Sequence, residues 1–166
     1  MPTIISTFPA RLALETRQGN PIDNAVDPQE DRAVREIKQE EFLKEYAMDG
    51  DPDIRPMHEP DATYNCVGFV FGARRVFISP RQVDAILRED GYASVAEDAV
   101  SVGDVVTWRS GAEYTHVGIV AHYEQFHSVR LPVILSKWGS LGEFLHPATK
   151  VPSVYGDVVE YWRVSR

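Results

Sequence analysis

One cysteine in 166 residues is the first constraint. A single thiol excludes an internal disulfide framework and a Cys-rich zinc cluster, and leaves one sulfur to explain. Basic residues are also scarce, 17 against 25 acidic ones, for a formal net charge of −8. A sequence-independent nucleic-acid binder needs a basic face, so no nucleic-acid partner is expected. No apolar run approaches the roughly 18 residues of a membrane span, so no membrane partner is expected. Gly68 and Gly72 lack the Gly-x-Gly spacing and the Lys-Ser/Thr ending of a phosphate loop, which removes nucleotide chemistry. No cofactor is expected. Repeats and low-complexity tracts are absent too. Near the N-terminus, Thr3, Ser6, Thr7, Pro9 and Arg11 interrupt the apolar stretch, so no secretory signal forms. The expected location is cytoplasmic, with signal-independent export left open.

What remains is 43% apolar and 25% charged, a globular composition of one-domain size. Charge is uneven along the chain. Residues 1–60 hold 13 acids and 7 bases, whereas residues 61–166 hold 12 and 10. The segment from Asp49 to Pro60 is rich in Pro, Asp and Gly and reads as irregular. It divides an acidic arm, residues 1–60, from a main body, residues 61–166. In the arm, Asp27 can cap a helix, Pro28 suits its first position and Glu30 suits a capping box. That helix runs to about Ala47 and carries Val34, Ile37, Phe42, Leu43 and Tyr46 over much of its wheel, a weak stripe for burial. It reads first as a solvated helix laid on the body, and second as a partner-binding or autoinhibitory arm.

In the body, Cys66–Arg75 is a short apolar segment that periodicity alone does not assign to helix or strand. Ser79 opens a second capped helix with Val83, Ile86 and Leu87 on one side and Gly91 at its end. Four β-branched and aromatic runs follow: 104–109, 116–123, 132–138 and 158–164. Helices followed by strands predict an α+β fold, with N-terminal helices packed on an antiparallel β-sheet. Trp108, Trp138, Tyr161 and Trp162 read as sheet-core residues.

If the segment after Tyr64-Asn65 is a helix, Cys66 lies in its first turn. Unpaired N–H groups and the helix dipole there favour a thiolate, which predicts a thiol pKa below the ordinary value. A thiolate nucleophile needs a base beside it. Of five histidines, His116 opens a strong strand (His116-Val-Gly-Ile-Val120) after a polar turn, with Gly118 leaving room on its face. His122 shares that face, so a Cys66, His116, His122 metal site is a further reading. The sequence lacks the short ligand pairs such sites use, and no metal is expected.

The order Cys66, then Gly103-Asp-Val-Val106, then His116-Val-Gly-Ile-Val120 resembles the NlpC-type and CHAP-type papain-like cysteine peptidases and amidases. The tail from Ser136-Lys-Trp-Gly139 through His146-Pro147 and Tyr155-Gly156 to Glu160-Tyr-Trp-Arg163 resembles a poorly characterised bacterial branch of that superfamily. The resemblance implies a papain-like fold with Cys66 as nucleophile at a helix start and His116 as general base. The substrate it implies is a peptide or other amide, for example a murein stem peptide or a protein side chain, cleaved through an acyl-enzyme. Such families orient the His with a polar residue of the next strand. This chain offers Ser136 there, with His146 as the alternative. Tyr64, Asn65, Lys137 and Trp138 are then expected to line the substrate cleft. Asn65-Cys66-Val67-Gly68 departs from the Asp-Cys-Ser-Gly usual in the peptidoglycan-cleaving branch. The competing reading is a catalytically inactive papain-like module, of binding or immunity type, that meets a protein partner through residues 1–60.

Overall fold

The β-branched and aromatic runs pair side by side because each carries one apolar face that has to be covered. The computed structural model of the protein describes residues 11–26 and 30–165. Along the chain come β1 (Asn24–Ala25), α1 (Arg32–Glu45), β2 (Arg55–His58), α2 (Cys66–Phe71), β3 (Phe77–Ile78), α3 (Val83–Glu89) and β4 (Tyr92–Val95). They are followed by β5 (Val105–Ser110), β6 (Glu113–Phe126), β7 (Val129–Lys137), β8 (Glu143–Pro147) and β9 (Val158–Val164). Seven strands form one antiparallel sheet in the order β2-β8-β7-β6-β5-β9-β4, and β1 pairs with β3 apart from it. The fold is therefore α+β, dominated by an antiparallel sheet with few helices. None of the described helices is long and apolar enough to cross a membrane.

Register sorts the side chains onto two faces. Trp108 lies opposite His116, Gly118 opposite Ser136, Ile134 opposite His146 and Val106 opposite Tyr161, so these residues share one face. Val106, Trp108, Val120, Ile134 and Tyr161 form its buried cluster. Thr107 and Val117 point to the other face, as do Lys137 and Glu143. There α2 and α3 close a second cluster of Val67, Val76, Ile78, Val83, Ile86, Leu87 and Val117. Gly103 and Asp104 have a structural role: Asp104 accepts from the Ser101 N–H and from the Arg163 guanidinium, fastening the start of β5 to β9.

The four expected strands appear as β5, β6, β7 and β9. Three more complete the sheet. β2 is an edge strand of four residues, Arg-Pro-Met-His, inside the stretch expected to be irregular. Pro56 is tolerated there because an edge leaves one side of the ladder unpaired. β8 contains a charged Glu143 and ends on a Pro, and it becomes a strand because Glu143 finds partners inside the protein.

Residues on both sides of the expected boundary at 60 share these cores. Ile22 lies in the cluster under α2 and α3, and Ile54 packs with Trp138, Leu141 and Phe144. Helix α1 begins at Arg32 with Asp31 as its N-cap, accepting from the Ala33 N–H at 2.9 Å. Asp27 and Pro28, expected to start it, lie outside the described residues. None of its residues is fully buried, and it rests on the body through Phe42 and Leu43, as a solvated helix does.

Gly68 sets how closely α2 meets the turn that follows it. A Cβ at this position would lie 1.7 Å from the Val76 carbonyl oxygen, which is backbone and cannot rotate away. Gly68→Ala is expected to destabilise the fold by about 3 kcal/mol, the cost of forced overpacking. Denaturant unfolding measures it; a loss under about 1 kcal/mol would show that α2 can shift freely.

Candidate active site

Asn65 prepares the site. Its Oδ1 accepts the Gly68 N–H at 2.9 Å and the Ile78 N–H at 3.1 Å, while its Nδ2 donates to the Ile78 carbonyl at 2.7 Å. The residue thus caps α2 and ties the cap to β3. Cys66 is the first helical residue, and the segment left open by its periodicity is a helix. The thiol meets the backbone N–H groups of Cys66, Val67 and Val117. Pairing of β6 with β7 stops at Gly118 and Ser136, so the Val117 N–H is left for the sulfur. This places the thiol against β6 at Val117, the residue after His116.

Contrary to expectation, the thiol pKa is not lowered. Burial pushes it up to about 11, outweighing the three N–H groups and the Lys137 charge that pull it down. Cys66 is 5% exposed, and a six-residue helix contributes only a short dipole to oppose desolvation. The resting sulfur is a neutral thiol.

The hydrogen bonds of Ser136 fix the protons of both buried histidines. His146 Nδ1 lies 2.9 Å from the Pro147 carbonyl, an acceptor only, so this nitrogen carries the hydrogen. Burial lowers the His146 pKa to about 4, so the ring is neutral and its Nε2 is an acceptor. Ser136 Oγ, 2.7 Å away, must donate to it. The Trp138 indole N–H donates to the same oxygen at 3.0 Å. One acceptor position remains, and His116 Nε2, at 2.9 Å, fills it as a donor. His116 is also held neutral, its pKa well below 6.5, by burial first and by His146 second. Its Nδ1 therefore bears a bare lone pair, and this buried nitrogen has no hydrogen-bond partner. A neutral imidazole with a free lone pair is a general base in its working form.

Tyr155 roofs this arrangement. It stands in the turn Ser153–Tyr155 between β8 and β9, and its ring stacks on His116 with centroids 3.9 Å apart and planes 9° from parallel. Burial raises the Tyr155 pKa, and a charge on Cys66 would raise it further. Gly156 (φ +86°) makes the turn possible, because a Cβ there would strike the Arg109 carbonyl at 2.2 Å. The composition of the loop gives no sign of this roof; it emerges only when β9 pairs with β5.

The residues expected in a cleft are walls. Tyr64 is buried and donates its hydroxyl to Glu143 at 2.7 Å. Lys137 is fully buried, and its ammonium donates to the carbonyls of Asp61 (2.7 Å), Gly139 (2.8 Å) and Leu141. Burial lowers its pKa to about 8. Trp138 is sealed among Ile54, Leu141 and Phe144. Two residues that the sequence reading missed complete the wall. Arg74 (φ +60°) grips buried Glu143 through two bonds of 2.6 and 3.0 Å. Burial opposes the Glu143 charge, but Arg74 and Tyr64 outweigh it and keep its pKa low. His122 is elsewhere, bonded to Glu124 at 2.9 Å, and no group of three metal-ligating side chains forms among the described residues.

Residues 55–163 match a family described as a domain of unknown function, DUF7689, and the chain belongs to that family. No curated protein and no solved structure matches it.

Two outcomes follow from this geometry. Between pH 6.5 and 4 the unfolded chain protonates its histidines while native His146 stays neutral, so stability falls as pH drops through that window. At 1.36 kcal/mol per pKa unit, His146 alone accounts for roughly 3 kcal/mol, with His116 adding to it. Denaturant titrations from pH 7 to 4 measure this, and a flat profile would show solvated rings. The second outcome concerns the roof. Tyr155→Ala is expected to speed iodoacetamide modification of Cys66 roughly tenfold with the circular dichroism unchanged. An unchanged rate would mean that Tyr155 does not cover the sulfur.

Proposed function

We propose that the protein is a thiol-dependent hydrolase or acyltransferase of papain-like, NlpC-related type, acting on an amide or isopeptide bond. Cys66 is the nucleophile, His116 the base and Ser136 the group that orients His116. The observation that carries this reading is the bare, buried Nδ1 lone pair of His116, on the residue before the Val117 N–H that the thiol meets. His146 serves by fixing the proton of Ser136, so both candidates for the third position act, one behind the other.

The chemistry starts from a neutral pair. As the sulfur attacks the carbonyl carbon, Nδ1 takes the thiol proton, the C–S bond forms and the carbonyl electron pair moves to oxygen. The Cys66 N–H receives that oxyanion. On collapse the amine departs with the proton held by His116, leaving a thioester that water or a second amine opens. The substrate is a peptide, a murein stem or a protein side chain, and the reaction needs no cofactor. A cytoplasmic setting agrees with the free thiol.

The burial of Cys66 and the stacking of Tyr155 on His116 favour a second reading, a catalytically inactive module that binds a protein partner through residues 1–60. An activated acyl donor separates the two. With p-nitrophenyl acetate, wild-type protein and Tyr155→Ala are expected to acquire one acetyl group on Cys66, seen by intact mass with a matching nitrophenol burst. His116→Gln is expected to slow acylation about 100-fold. Absence of the adduct in both wild type and Tyr155→Ala would overturn the hydrolase reading in favour of the second.

A further inference from the structure

A cavity of about 300 Å³ opens on the face of the sheet away from α2, between the end of β4, the start of β7, the end of β8 and β9. This volume matches the lower end of small-molecule sites. Val95, Leu131, Pro132, Ala148 and Tyr161 give it an apolar lining, to which Ser94 and Thr149 add neutral polar groups. The charged residues that line it are Glu97 and Glu160, and no Lys or Arg is among the lining residues. Glu160 is shared with Arg109 at 3.4 Å. Glu97 is exposed and forms no ion pair among the described residues. It lines the cavity together with Tyr161, whose hydroxyl pKa rises to about 12 through burial and then through the Glu97 charge. A carboxylate and a phenol therefore look into the same apolar hole, in a chain of net charge −8.

That combination selects one ligand chemistry. An apolar body satisfies the walls, and a cation satisfies an otherwise unpaired carboxylate, while an anion would meet two acids and no base. We propose that this cavity binds a small organic ammonium ion: an aromatic or branched apolar body against Leu131, Pro132, Ala148 and Tyr161, with its protonated amine at Glu97. The site is separate from the Cys66 chemistry yet touches its support. The cavity residues Pro147 and Ala148 offer their carbonyls to His146 Nδ1 at 2.9 Å and to Trp108 Nε1 at 3.0 Å.

Titration calorimetry on the full chain at pH 7 and low salt tests this without reference to any enzymatic activity. The probes are 2-phenylethylamine, its neutral analogue 2-phenylethanol and the anion 3-phenylpropionate. The amine is expected to bind saturably at one site, about three- to fivefold tighter than the alcohol, with no binding of the anion. Glu97→Gln, at an exposed position, is expected to bring the amine down to the affinity of the alcohol. Leu131→Phe, at the partly exposed rim, is expected to weaken both by filling the space, and Ala148→Phe repeats that test from the opposite wall. Lack of saturable amine binding at millimolar concentration would overturn the proposal. So would an affinity that Glu97→Gln leaves unchanged, or equal binding of amine and anion.

Discussion

A serine hydroxyl has one hydrogen to give and two lone pairs to offer, and Ser136 uses all three deep inside the sheet. It gives its hydrogen to His146 and accepts from His116 and Trp138. Each of these atoms would otherwise be a buried polar group without a partner, at about 1–3 kcal/mol apiece. The arrangement joins β6, β7 and β8 through side chains as well as through their ladders. It also passes proton order from a backbone carbonyl at Pro147 to the far ring of His116. The free lone pair at Nδ1 is thus a consequence of core packing two strands away.

On the opposite face the same strands solve a different problem with charge. Lys137 and Glu143 are cross-strand neighbours, both fully buried, and neither depends on the other alone. The ammonium spends its hydrogens on three loop carbonyls, and the carboxylate takes Arg74 and Tyr64. Burying such charges is costly unless every bond is made, so the network specifies geometry more than it adds stability. What it specifies is the path of residues 61–65 into α2, since Lys137 holds Asp61 and Glu143 holds Tyr64. Cys66 follows directly on that path, at the start of α2.

How much of this was legible in the sequence follows from the range of each interaction. The strands β5, β6, β7 and β9 were readable, because alternation is a local signal. Ser136 and His146 were both legible as polar residues near His116, while the hydroxyl that joins the two rings was not. The strands β2 and β8 escaped because Pro56 and Glu143 are poor strand residues until an edge and an ion pair accommodate them. The thiol pKa was misjudged for a related reason. A helix start is visible in sequence, but the burial that outweighs it comes from a cluster that includes Ile22, Ile86 and Val117, which distant segments bring in.

The Trp138 cluster is covered from two parts of the chain. Tyr155 belongs to residues 55–163, the region matched by the family, whereas α1 precedes it. Phe42, Leu43 and Met48 nevertheless rest on the cluster that includes Tyr155 and Trp138, and Gln39 accepts the Gly142 N–H at 2.8 Å. α1 has no fully buried residue, and its ion pairs with Glu59 and Glu30 are exposed ones of small worth. A ring stack such as that of Tyr155 on His116 adds about 1 kcal/mol. The attachments closing the site are therefore weak beside those that build it, the saturated Ser136 circuit and the Lys137 clasp. A fold arranged this way opens locally at its roof long before its core yields. The aromatic turn and the solvated helix are then the first parts to move, while the protons below keep their order.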